Sequence, residues 1–217
     1  MKKLFPLVTA DIALFTVHEG SLRVLLGKRA NAPELGKWAL PGGVLDPASD
    51  SDLDDTARRV LSSKIGVDVA FLDQVATFSG AARDPRGWSL SVLYYALLPR
   101  DQVPAVAGNK TEAVEWRDAF APGSRLAFDH AKLVEAALTT LRSKVVSAAL
   151  PLHLLPERFT LTELQRTCEL ILGHSLDKSV FRRRLKSEPS IVQLEGEFLY
   201  GAQRPAQLYR AAADFRF

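Results

Sequence analysis

The chain has 217 residues, room for one large domain or two small ones. A hydrophobic share of 47% against 24% charged excludes an intrinsically disordered chain, and no window approaches the ~18 apolar residues of a membrane span. Net charge is +3, with 17 basic and 17 acidic residues over 1–142 and 11 basic against 8 acidic over 143–217, so the excess lies in the last third and suits an anionic partner there.

Met1-Lys2-Lys3-Leu4-Phe5-Pro6 carries two lysines but no apolar stretch of a signal peptide, and Asp11 and Glu19 follow closely, so a cytoplasmic protein is expected. Val8–Val17 and Leu22–Leu26, rich in β-branched and aromatic residues, flank the turn-like His18-Glu19-Gly20-Ser21 and predict a β-hairpin. Trp38-Ala39-Leu40 is strand-like and is punctuated by Pro41-Gly42-Gly43. From Asp50 to Ile65 the residues Leu53, Ala57, Val60, Leu61 and Ile65 recur at helical spacing, and Gly66 stops the helix. Asp50, Asp52, Asp54 and Asp55 then cap its first turns and complement its dipole. Gln74–Ser79, Trp88–Leu98 and Ala113–Trp116 read as strands, with a polar loop at Gly80–Gly87. Asp129 can N-cap a helix running to about Ala149, whose apolar stripe includes Leu133, Val134, Ala137, Leu138, Leu141 and Val145. Hairpins around a central helix predict an α+β sandwich, helix on each side of a sheet, over residues 1–150. Pro151 and Pro156 mark a second domain, 151–217.

Thr160-Leu161-Thr162-Glu163 fits a capping box and opens a helix with Leu161, Leu164, Cys168 and Ile171 inward. Cys168, the single cysteine, excludes an internal disulfide or cysteine-rich zinc site and reads as a buried thiol. A glycine turn at Gly173–Leu176 and a cap at Asp177 lead to a second helix, Lys178 to about Lys186, which is helix-turn-helix spacing. With Val180, Phe181 and Leu185 facing the core, Lys178, Ser179, Arg182, Arg183 and Lys186 stay exposed, as a helix entering the DNA major groove requires. Ile191–Leu194, a turn at Glu195-Gly196-Glu197, Phe198–Tyr200 and a further strand at Gln207–Arg210 predict the wing of a winged helix. A solvated charge cluster or a protein-binding winged helix is the rival reading of this third.

Leu40-Pro41-Gly42-Gly43-Val44 and the helix ending Ile65-Gly66-Val67 resemble the signature G-x5-E-x7-R-E-U-x-E-E-x-G-U of Nudix hydrolases, in which glutamates on one helical face hold Mg²⁺ against a diphosphate. Aligned from Gly66 backwards, Arg59 and Leu61 match, but the three glutamate positions fall on Val60, Ser63 and Lys64, and the spacing from Gly43 to Arg59 is longer than the pattern allows. Mg²⁺ needs hard oxygen ligands, so neither a metal nor hydrolysis is expected, and the Lys64 ammonium can stand in for the missing positive charge. The loop Arg83-Asp84-Pro85-Arg86-Gly87-Trp88 resembles that of ADP-ribose-handling Nudix proteins; its guanidiniums can clamp a diphosphate and Trp88 can stack or pack. Lys28, Arg29, Arg59 and His130 complete the expected ligand set.

Five segments in order are similar to the Nudix-related transcriptional regulators of NAD metabolism: Arg83–Trp88, Ala127–His130, Phe159–Gln165, Phe181–Arg184 and Arg204–Tyr209. That resemblance implies a homodimeric repressor of NAD synthesis or salvage genes. It would use no cofactor, hold a palindromic operator through Thr160, Lys178, Ser179, Arg182, Arg183, Lys186 and Arg204, and be released by ADP-ribose or a related nucleotide sugar. The alternative is an active ADP-ribose or nucleotide diphosphatase with an accessory C-terminal domain.

Overall fold

The computed structural model describes residues 5–102, 111–123, 125–145, 150–200 and 205–213. At its centre β1 (Leu7–His18) and β6 (Ser89–Leu97) pair in parallel, from Leu7↔Ser89 to Phe15↔Leu97. Side chains alternate across a strand, so Ile12, Leu14, Val92, Tyr94 and Ala96 enter one apolar cluster while Ala13, Phe15, Leu93, Tyr95 and Leu97 enter another on the opposite face. Both faces are covered, which explains why these two strands are apolar almost throughout.

Among the described residues the sheet has seven strands. β2 (Ser21–Arg29) is antiparallel to β1 and carries β3 (Trp38–Ala39) and β7 (Thr111–Asp118); β4 (Gly42–Val44) pairs with β1, and β5 (Phe71–Gly80) with β6. The helix α1 (Leu53–Val60) packs on the first face through Ala57 and Val60. The helix α2 (His130–Val145) packs on the second through Leu133, Val134, Ala137, Leu138 and Leu141. This is the expected sandwich, a helix on each side of a sheet.

The first helix differs from its sequence reading at both ends. Asp52 is the N-cap, accepting from the Asp55 amide at 2.8 Å, and Asp50 lies before the helix. Residues Leu61–Ile65 form a π turn closed by the Gly66 amide on the Leu61 carbonyl at 3.0 Å. Spacings of three and four cannot reveal this extra residue. The Pro41-Gly42-Gly43 run is more than punctuation, because it leads into β4; a Cβ at Gly42 would lie 1.9 Å from the Asp11 carboxylate. Asp129 does not cap α2 with its side chain, which instead accepts two hydrogen bonds from Arg83. Residues 146–149, the expected end of that helix, lie outside the described residues.

The C-terminal third has β8 (Phe159–Thr160), α3 (Leu161–Leu172), α4 (Lys178–Leu185), β9 (Ile191–Leu199) and β10 (Ala206–Ala211), with the strands ordered β8-β10-β9. Thr160 and Glu163 form the capping box, Gly173 ends α3 in the left-handed conformation at φ 78°, and Asp177 caps α4 through the Val180 amide at 2.8 Å. Leu164, Cys168 and Ile171 join the same apolar cluster as α2, so one core runs through both halves. Burial pushes the Cys168 thiol up to about 12, which keeps it un-ionised. The wing corrects the sequence reading: Glu195-Gly196-Glu197 is not a hairpin turn. Gly196 sits at φ 74° inside a continuous β9, where the register slips between Gln207↔Phe198 and Tyr209↔Gln193. The Gln207 side-chain amide closes this bulge onto the Leu194 and Glu197 carbonyls.

Candidate ligand cavity and DNA-facing helix

A cavity of about 530 Å³ opens beside the ends of β1 and β2. β1 supplies Asp11, β2 supplies Lys28 and Arg29, and β4 supplies Gly42, Gly43 and Val44. Arg59 and Lys64 reach it from α1 and the π turn, Arg83 and Arg86 from the loop after β5, and Phe128 and His130 from the start of α2. Seven of the eight expected ligand residues therefore converge. Trp88 does not: it is 50% exposed and lies outside the cavity wall, so it neither stacks nor packs there.

The cavity arginines are already engaged. Arg59 grips buried Asp50 at 2.6 Å and donates to the Val44 carbonyl at 3.0 Å, bracing the loop between β4 and α1. This partner holds the Asp50 carboxyl well below the usual carboxylate range. Arg83 forms a bidentate pair with Asp129 (2.9 and 3.1 Å) and touches the Ser89 hydroxyl at 3.3 Å. Arg86 pairs with buried Asp84 at 2.6 Å, which lowers the pKa of that carboxyl. Arg29 donates to the Pro33 carbonyl at 2.9 Å and lies over the Phe128 ring at 4.8 Å. Burial first, and repulsion from Arg86 second, lower the Arg29 pKa. Guanidiniums held within repulsive reach of one another are stabilised by an anion between them.

The wall nearest the π turn is cationic and apolar. Val60 is fully buried, its methyl 2.5 Å from where a Cβ on Gly43 would stand, and the Lys64 ammonium donates to the Gly42 carbonyl. His130 is buried, and its Nδ1 accepts the Leu40 amide at 2.9 Å, leaving Nε2 as the protonated nitrogen facing Asp11 at 3.8 Å. Burial lowers the His130 pKa, favouring this neutral tautomer. Sequence reasoning missed Asp11 and Phe128 as cavity residues. Asp11 sits in an apolar strand, and nothing nearby in sequence marks it; Phe128 lies in the family-like segment Ala127–His130, and in the structure it stands out by a positive φ of 52°. Among the described residues no three His, Cys, Asp or Glu side chains gather as a metal-ligand set, and no helix is long and apolar enough to cross a membrane.

At the other end α4 presents its basic side chains outward. Lys178, Ser179, Arg182, Arg183, Arg184 and Lys186 are exposed, while Phe181 and Leu185 pack on the core. Val180 departs from its expected core position and is 53% exposed. Thr160 is 5% exposed and its hydroxyl is engaged with Glu163, so it serves the capping box and does not face outward. Arg204 lies outside the described residues.

One helix touches both regions. The first residues of α2 wall the cavity, and near its last turn the Arg142 Nε donates to the Ile171 carbonyl of α3 at 3.0 Å while its guanidinium lies over the Phe120 ring at 4.6 Å. A Cβ at Gly173 would come within 3.0 Å of that guanidinium, so the glycine also gives it room.

Residues 7–136 match the family described as NUDIX domain, and residues 151–211 match that described as NrtR DNA-binding winged helix domain. The chain is 44% identical to the ADPR responsive transcriptional repressor NtrR of Acinetobacter baylyi, over 98% of this chain and 86% of that one. The chain belongs to the NrtR family. A Nudix domain followed by an NrtR winged helix is therefore its architecture. Shewanella oneidensis NrtR complexed with a 27mer DNA is similar at a TM-score of 0.85 and 36% identity, covering 94% of this chain and 93% of that one. The NUDIX domain of that NrtR complexed with ADP ribose gives 0.60 and 38%, covering 64% of this chain and 90% of that domain.

Proposed function

We infer that this NrtR-family protein is a DNA-binding transcriptional repressor that leaves its operator when ADP-ribose, or a closely related nucleotide-sugar diphosphate, fills the Nudix cavity. The observation that carries this reading is α2, which walls a polycationic cavity with His130, beside Phe128 in the turn before it, and holds the helix-turn-helix with Arg142. The relatives support it: one is a repressor described as ADPR responsive, and S. oneidensis NrtR is known with a 27mer DNA and, as its NUDIX domain, with ADP ribose.

In this reading the Arg83 and Arg86 guanidiniums and the Lys28 and Lys64 ammonium groups receive the diphosphate, with Arg29 beside them and Arg59 bracing the loop. The chemistry stops at binding. The Mg²⁺ that Nudix hydrolases hold does not fit here, because the box positions carry buried Val60 against Gly43, a serine at Ser63 and the Lys64 ammonium on the Gly42 carbonyl. A ligand with equal affinity for both states shifts nothing. Arg83 supplies a difference: a diphosphate oxygen competes with Asp129 for it and so acts on the first turn of α2. Through Arg142 the displacement reaches α3 and the adjoining recognition helix.

The protein then works in the cytoplasm as a homodimer on a palindromic operator. Division near residue 150 separates sensing from DNA contact, and the regulated genes belong to NAD metabolism. Titrating ADP-ribose, AMP and ribose 5-phosphate separately into a preformed protein–operator complex tests the reading. ADP-ribose is expected to release the duplex about five- to 150-fold more readily. Release by none of the three, or brisk magnesium-dependent cleavage of ADP-ribose without duplex binding, defeats it.

A further inference from the structure

We propose that Val180 is a base-reading residue that recognises the C5-methyl group of a thymine in the major groove. The inference rests on the DNA reading of α4 and assigns a specificity that reading does not contain.

Phe181 and Leu185, four residues apart, fix the inward direction of α4 by packing on the core. Each residue turns an α-helix by about 100°. Opposite that inward direction stand Ser179 and Arg183, with Val180 and Lys186 about 60° to either side of the outward axis, while Arg182 and Arg184 lie on the two flanks. The outward stripe is therefore Ser179, Val180, Arg183 and Lys186, all exposed. Flanking arginines are placed for the phosphates on the two sides of a groove, and the stripe between them for the base edges.

Val180 occupies the first turn of α4, its amide donating to the Asp177 cap at 2.8 Å. In helix-turn-helix proteins those first residues reach the base edges. Of the groups that distinguish the bases on those edges, all are hydrogen-bond donors or acceptors except the thymine methyl, the one apolar projection. Valine pressed against a polar edge would strip water from it and return no hydrogen bond, which is unfavourable. Against thymine it buries one methyl group on another. A valine 53% exposed between Ser179 and Arg183 thus fits one base and disfavours the others.

The test uses the full chain. A duplex site is first selected from a random-sequence pool, and each thymine of the winning site is then replaced singly by uracil, which removes only the methyl. For the wild type, one thymine per half-site should lose about fourfold in affinity on replacement, and both half-sites together about fifteenfold. Val180→Ala should bind that thymine duplex more weakly, show the same affinity for thymine and uracil there, and select sites with that position relaxed. Val180→Ser, also at an exposed position, should behave alike. If the wild type ignores every uracil replacement, or Val180→Ala keeps the full penalty, the assignment of Val180 is wrong while the DNA reading stands. Failure of the wild type to enrich any sequence overturns both.

Discussion

Arg59, Arg83 and Arg86 at the cavity each face a carboxylate at 2.6–2.9 Å, from Asp50, Asp129 and Asp84. Arg182, Arg183 and Arg184 on α4 are exposed, and among the described residues their side chains make no hydrogen bond or ion pair. The difference separates two ways of meeting an anion. Paired guanidiniums are fixed in place before a ligand arrives, so under the proposed function a ligand that competes for Arg83 with Asp129 ties occupancy to rearrangement. Unpaired guanidiniums on a rigid helix meet a polyanion without rearranging; their binding comes from released counterions and weakens with salt at a log–log slope of about −0.9 per neutralised phosphate.

The largest effect that would sharpen this contrast is on α4. Replacing Arg182 and Arg183 together by alanine should lower operator affinity about hundredfold or more and reduce the salt slope by about one, for the phosphate that Arg182 neutralises, while calorimetric ligand affinity stays within about twofold. A change in ligand affinity of similar size would break the separation of the two sets. The next effect lies between them. Arg142→Gln should leave operator and ligand affinities within about threefold of wild type but cut ligand-driven release to less than about twofold. Undiminished release in a fluorescence-anisotropy titration would show that coupling runs elsewhere. The smallest effect is at the cavity wall, where Lys64→Ala should weaken the ligand about tenfold, as loss of one charge-assisted hydrogen bond does. Unchanged affinity would leave the diphosphate to Lys28 and the paired arginines.

Much of the fold was legible because its signals are local. Runs of β-branched and aromatic residues around a glycine turn mark the first hairpin, three- and four-residue spacing marks α1 and α2, and Thr160 with Glu163 writes the capping box of α3 directly in sequence. The parts that escaped depend on distant partners or on backbone detail. Asp129 has the chemistry of a helix cap, yet Arg83, 46 residues away, takes its carboxylate. Glycine in Glu195-Gly196-Glu197 signals a break in extended chain, but pairing with β10 decides between a turn and a bulge, and here it gives a bulge. Hydrophobicity alone assigns Val180 to the core; the direction set by Phe181 and Leu185 turns it outward. Seven cavity residues are recognisable by charge type, whereas Trp88 is drawn in by its neighbours in the loop and sits on the outside.

The π turn at Leu61–Ile65 makes the cavity sensitive to how the backbone winds in a way that residue identity does not reveal. Five residues there close the turn that four close in ordinary helix, so winding all five as ordinary helix would rotate the residues beyond by about 100°. The ammonium now aimed at the Gly42 carbonyl would then swing off the wall with its own side chain intact. A homologue whose helix runs regular here could keep every cation of this sensor and still be deaf to the same metabolite.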